Sequence, residues 1–106
     1  MSGPLLSPAS AGWYGKVPSL GDFVTRRLPG SFVAAWDDWL QASIAASRAT
    51  LGPRWQPLYL NCPIWRFALF PGACGPGAWA GVMMPSVDRV GRCFPLTIAA
   101  TIEPPE

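Results

Sequence analysis

The sequence predicts an α/β domain of the α+β arrangement, with a mainly antiparallel sheet flanked by helices. Three observations lead there. Residues 31–51 carry apolar side chains at helical spacing, whereas three runs after residue 63 carry them as strands do. The loops between those runs are short, so successive strands should pair as antiparallel neighbours. Half of the 106 residues are hydrophobic and six are Trp, enough for one small packed core.

The elements follow in order. Residues 1–11 are mostly Pro, Ser, Gly and Ala around Leu5-Leu6, and read as a flexible N-terminal arm; the domain proper is 12–106. Trp13-Tyr14-Gly15-Lys16 opens a strand, Pro18-Ser19-Leu20-Gly21-Asp22 is loop chemistry, and Phe23-Val24-Thr25 is a short extended piece. From Ser31, Val33, Trp36, Leu40, Ile44 and Leu51 form one helical stripe, with Phe32 and Trp39 beside it. Ser31 is the expected N-cap, and Gly52-Pro53 the stop signal. A shorter helix is expected through Trp55, Leu58 and Tyr59, ended by Asn61-Cys62-Pro63.

The remainder reads as sheet. Strands are expected at Ile64–Phe70, Ala78–Met84 and Phe94–Ile102, broken by Pro71-Gly72 and Pro85-Ser86. In the last, Phe94, Leu96, Ile98, Ala100 and Ile102 share one face, with Pro95, Thr97, Ala99 and Thr101 on the other. The middle strand has no polar face, which is the pattern of a strand covered on both sides. One long and one short helix leave the second cover unaccounted for, so apolar surface should remain for a partner or for further sequence.

Composition narrows the function. Charged residues are 13%, against roughly 25% in an average soluble domain. The net charge is +2, and Arg26-Arg27 is the one adjacent basic pair, which argues against a nucleic-acid groove. No run of about 18 apolar residues is present, so no membrane insertion is expected, and residues 1–12 do not read as a signal peptide. The expected compartment is the cytoplasm. Cys62, Cys74 and Cys93 lack metal or disulfide spacing and are expected to be small buried hydrophobes. The chain contains no His, which removes His-based triads and His metal ligands. No cofactor and no metal are expected.

Several constellations have ordinary explanations. Gly72–Gly77 is Gly-rich, but Pro and then a strand follow where a phosphate loop needs a helix and a Lys; it reads as a hairpin loop. Asp37 and Asp38 are neighbours on a helix and read as a solvated face. Trp36, Trp39, Trp55, Trp65 and Trp79 read as core and not as stacking platforms.

Two segments do not dissolve in this way. Lys16, Asp22, Arg26, Arg27, Asp88, Arg89 and Arg92 are seven of the fourteen charges, and all lie within 15–27 or 84–92. An Asp22 pairing with Arg89 or Arg92 would join the two loops and aim the arginines as a recognition edge for an acidic or phosphorylated partner. The candidate partner-binding residues are Lys16, Asp22, Phe23, Arg26, Ser86, Asp88, Arg89 and Arg92. No catalytic residue is assigned.

These segments also carry a resemblance. Gly-Lys-x-Pro-x-x-Gly-Asp-Phe-Val-x-Arg at 15–26 is similar to the N-terminal motif of TagF proteins. Trp36-Asp37-x-Trp39-Leu40-Gln41 and Ala45-Ala46-Ser47-Arg48 resemble that family's first long helix. Met84-Pro85-Ser86-Val87-Asp88-Arg89-Val90-Gly91-Arg92 and Phe94-Pro95-Leu96-Thr97 continue the match, which runs in order through nearly all of 12–101. The resemblance implies a three-layer α-β-α sandwich and a non-enzymatic accessory protein of type VI secretion. It further implies post-translational repression of assembly through binding the system's forkhead-associated scaffold protein. Family members usually continue past the Phe-Pro-Leu-Thr strand. The alternatives are a structural accessory component prone to self-association, and a small hydrolase or nucleotide-binding enzyme using Asp22 or Asp88.

Overall fold

The computed structural model describes residues 5–6, 11–75 and 77–103. Its strands are β1 (Leu5–Leu6), β2 (Gly12–Gly15), β3 (Val24–Arg26), β4 (Trp65–Leu69), β5 (Trp79–Met84) and β6 (Leu96–Glu103). Its helices are α1 (Gly30–Leu51) and α2 (Trp55–Leu60), joined by a 3-10 turn at Gly52–Arg54. The sheet order is β3-β2-β6-β5-β4, with β1 pairing the end of β6. Every pairing is antiparallel. The α+β class and the antiparallel order of the last three strands are as the sequence predicts.

The long helix forms where its apolar stripe lies, and buries Phe32, Trp36 and Leu40. Its start differs from expectation. Pro29 is the N-cap and no side chain caps the first turn, so Ser31 does not act as the cap. Pro suits this place because its φ, −60°, is fixed in advance and already matches the helix that follows. The stop is as expected: Gly52 takes φ 55° and its N–H reaches the Arg48 carbonyl.

Register decides which sheet face meets α1. Trp79 pairs with Thr101, Gly81 with Ala99 and Met83 with Thr97. On β4, Phe67 and Leu69 lie on that same face. The side chains of β6 here are small, so the large ones can come from the helix. Phe32 packs 4.3 Å from Trp79 and Trp36 4.6 Å from Phe67, measured between ring centroids. Gly81 is required in this layer, since a Cβ would collide with the Ile98 carbonyl and the Phe67 ring. The Trp36 indole N–H donates to Thr97 Oγ1 at 2.8 Å, wholly inside the core. That bond answers the indole N–H that Trp36 carries into the core.

The other face carries Ala80, Val82 and Met84 against Ala100, Ile98 and Leu96. Both helices lie on the α1 side, and among the described residues no helix covers this face. Of the three layers expected, the described residues supply two. The doubly apolar pattern of β5 therefore reports an apolar face that is half-buried, with Ile98 at 36% exposure.

Three further expectations change. Leu5 and Leu6, placed in the arm, pair with Ile102 and Glu103; the other residues of 1–10 lie outside the described residues. Trp39 and Trp65 are more than half exposed, while Trp36, Trp55 and Trp79 are core. Of the cysteines only Cys74 is buried, and Cys62 is exposed because α2 turns its last residues to the surface. Among the described residues no helix is long and apolar enough to cross a membrane.

Thr97→Val keeps the shape but leaves the Trp36 N–H without a partner, and should cost about 1–3 kcal/mol. Leu40→Ala should cost about 2–5 kcal/mol through the cavity it leaves. Denaturant unfolding followed by Trp fluorescence measures both. A Thr97→Val protein as stable as the parent would mean that the buried bond contributes nothing.

Candidate functional site

The two charged loops lie side by side at one end of the sheet, and Asp88 is the reason. Its side chain has no solvent exposure. Oδ2 meets Arg92 Nε at 2.6 Å and Lys16 Nζ at 3.4 Å. Oδ1 accepts the backbone N–H of Val90 at 3.1 Å and of Arg92 at 2.9 Å. The loop itself supplies these N–H groups: Gly91 takes φ 88° and its N–H returns to the Asp88 carbonyl, while the Asp88 N–H reaches the Arg92 carbonyl. The chain thus wraps around its own carboxylate. Burial by itself would raise the Asp88 pKa. The N–H groups and the guanidinium outweigh it and hold the carboxyl at about 2.

The clamp extends to the first loop. Arg92 Nη2 donates to the Gly21 carbonyl at 2.8 Å, and the Arg89 N–H to the Leu20 carbonyl at 2.8 Å. The Arg89 guanidinium lies against Gly21, whose added Cβ would stand 3.2 Å from it. Ser86 ties three segments: its hydroxyl donates to the Lys16 carbonyl at 2.7 Å, and its N–H and carbonyl both engage the Tyr59 hydroxyl at 2.8 Å. Burial is the main cause that pushes the Tyr59 hydroxyl to about 12, so it stays protonated. Phe23 completes the junction. It stacks on Tyr14, meets Phe94 edge-on and receives Lys16 Nζ 5.0 Å above its ring.

Lys16, Phe23, Ser86, Asp88, Arg89 and Arg92 therefore form one connected cluster, with Asp88 buried beneath the rest. Asp22 and Arg26 do not join it. Asp22 accepts only the neighbouring Phe23 N–H, at 2.7 Å, and forms no ion pair among the described residues. The expected Asp22–Arg link is replaced by Lys16–Asp88, because the turn at 88–92 offers Asp88 two N–H donors that Asp22 has no means to match. Arg26 stands over Trp13, 5.9 Å from the ring, on the sheet face away from α1.

The arrangement is unsuited to acid–base work. Both Asp88 oxygens are saturated with donors and its proton affinity is low, so it is a poor general base. The Asp37 carboxylate is also engaged, through Oδ1. It accepts the Tyr14 hydroxyl at 2.6 Å, so it is not the solvated group the sequence suggests. Burial first, and then Asp37, push the Tyr14 pKa well above its ordinary value. The sequence assigns no site role to Tyr14, Tyr59, Gln41 and Arg48. The signal for the helical pair was the spacing of 41, 45 and 48, which puts them on one side of α1.

A sequence model of the TagF N-terminal domain, described as type VI secretion system-associated, matches residues 12–106. The chain belongs to the TagF family. The crystal structure of PA0076 from Pseudomonas aeruginosa PAO1 superposes on this TagF domain with a TM-score of 0.85 at 53% identity. The match covers 87% of this chain and 42% of that one, so the TagF domain here spans less than half of its relative's length. No curated protein matches the chain.

The Asp88 clamp makes the TagF domain sensitive to acid. A carboxyl depressed in the folded state stabilises fully above its unfolded value, near 3.8, and loses that effect as pH falls through about 2. Asp88→Asn should therefore be less stable than the parent above pH 4 and converge with it near pH 2. Unfolding titrations at several pH values check this; parallel profiles would remove Asp88 as the acid-sensitive group.

Proposed function

We propose that this TagF domain is a regulatory binding module that represses type VI secretion after translation by holding the system's forkhead-associated scaffold protein in the cytoplasm. The observation that supports it best is the junction of the two loops. Asp88 fixes their backbones, while Leu20, Arg89 and Val90 remain exposed at the surface they share. Exposed apolar tips beside aimed guanidinium groups are the chemistry of protein recognition. The order of such a surface is set before the partner arrives, which lowers the entropic cost of binding. Its carboxylates serve the loops themselves, which supports a binding role over a hydrolytic one.

A second reading has its own support. Ile64, Trp65 and Phe70 are exposed along and beside β4, at the free edge of the sheet. Such an edge favours a structural accessory component that self-associates or is held within the apparatus. Affinity capture from secreting cells separates the two readings. A forkhead-associated scaffold in the eluate supports regulation, and sheath or baseplate proteins alone support the structural role.

Arg89→Ala and Val90→Asp should weaken scaffold binding about tenfold or more. Both should stay within about 0.5 kcal/mol of the parent in stability, as exposed positions do. Both should also release secretion in cells. Variants that fold and bind like the parent in calorimetric titration would remove this surface as the interface.

A further inference from the structure

Beside the loop junction lies a pocket that shares Lys16 and Phe23 with it. Its volume is about 300 Å³, and it opens between α1 and the ends of the two loops. Lys16, Gln41 and Arg48 give its polar lining, and Phe23, Ile44 and Phe94 its apolar floor. No carboxylate lines it. We propose that this pocket is an anion site that takes one carboxylate side chain, a Glu or Asp next to an apolar residue, from the protein bound at the adjoining loops. The proposal rests on the reading of those loops as the partner-facing surface.

Both cations are positioned by groups other than a ligand. Lys16 is held by Asp88 and by the face of Phe23, and its side chain is only 12% exposed. Arg48 lies 4.1 Å from the centre of the Trp55 ring. Trp55 is itself fixed by its indole N–H on Ser47 at 2.7 Å and by stacking on Tyr59. Arg48 has no carboxylate partner among the described residues. A guanidinium held over an aromatic ring by its carbon can still offer N–H donors to a carboxylate.

The charge balance is positive. Lys16 and Arg48 line the pocket, and Arg92 joins Lys16 on Asp88 beside it, so three cations stand with one carboxylate and leave two positive charges. Asp37 takes back one from behind Gln41, where its Oδ1 accepts from Tyr14 and, at 3.5 Å, from the Gln41 amide. One negative charge is what remains to be supplied. The size agrees, because small-molecule sites run from about 300 to 1,000 Å³, and this pocket lies at the bottom of that range. A carboxylate side chain and its apolar neighbour fit within it together. The Phe23, Ile44 and Phe94 floor matches an apolar stem or neighbour more closely than a bare inorganic ion.

The test is an NMR titration of the chain with the capped dipeptide N-acetyl-Glu-Phe-amide, its Gln-Phe counterpart and its phosphoserine-Phe counterpart. Amide shifts of Gln41, Arg48 and Phe94 report binding. The Glu peptide should bind about tenfold more tightly than the Gln peptide, and added salt should weaken it. Arg48→Gln should bring the two peptides to the same affinity. Ala45→Glu should do so too, by placing an anion on the pocket rim without touching Trp55. Equal affinity of the Glu and Gln peptides for the parent, or Glu binding that survives both variants, overturns the proposal. So does a phosphoserine peptide that binds more tightly than the Glu peptide. Scaffold binding separates this from the loop reading. If Arg89→Ala abolishes it while Arg48→Gln and Ala45→Glu leave it intact, the loops stand and the pocket falls. If the Glu peptide binds as expected while the scaffold does not bind at all, the pocket stands and the loop reading falls.

Discussion

A single buried charge organises one whole end of this molecule. Asp88 has lost its water, and a carboxylate in that state must be met by cations and N–H donors or become protonated. The turn at 88–92 answers with two backbone N–H groups and the Arg92 guanidinium. Lys16 arrives from the other loop, seventy-two residues away in sequence, and completes the shell. The position of the first loop therefore follows from the solvation of one side chain in the second. Arg92 then turns a second donor, on Nη2, to the Gly21 carbonyl, so the same residue neutralises the charge and binds the loop.

A different constraint governs the layer between α1 and the sheet. α1 brings Phe32, Trp36 and Leu40, which are large, and the sheet must offer small residues to receive them. Thr97, Ala99 and Gly81 do this, and Thr97 adds the acceptor that Trp36 needs. Complementary sizes across the layer let a short chain reach close packing. The same economy leaves the second face of the sheet apolar and open. The Leu96, Ile98 and Ala100 side of β6 has neighbours within the sheet but no helix above it among the described residues.

Much of this was legible in the residues. A stripe at helical spacing and a period of two in β6 mark physical faces, so they placed α1 and the strands to within a few residues. Trp39 and Trp65 misled, since an aromatic ring signals the core only when its face of the element points there. The Asp pairing misled for a related reason. Sequence counts charges, but which carboxylate is buried depends on a turn that aims two N–H groups at Asp88 and none beyond Phe23 at Asp22. The loop junction and the family motifs coincide, so the site's location was readable while its wiring was not. Tyr59 and Ser86 meet only because α2 folds back over the end of β5, and no local pattern announces such a contact.

Strand order carries a consequence for how the chain is made. β6 follows every other described element in sequence, yet it sits in the middle of the sheet, between β2 and β5. The β2–β3 pair and the β4–β5 pair share no edge without it. During synthesis at about 5–20 residues per second, the two hairpins emerge first and wait seconds for the strand that joins them. In that interval the stripe of α1 has only half its floor, because Thr97 and Ala99 are still inside the ribosome. Closure of this sheet therefore comes late, around β6, with long loops to close and a correspondingly slow rate. A nascent chain stalled before residue 96 would present its aromatic helix face to whatever chaperone stands at the tunnel exit.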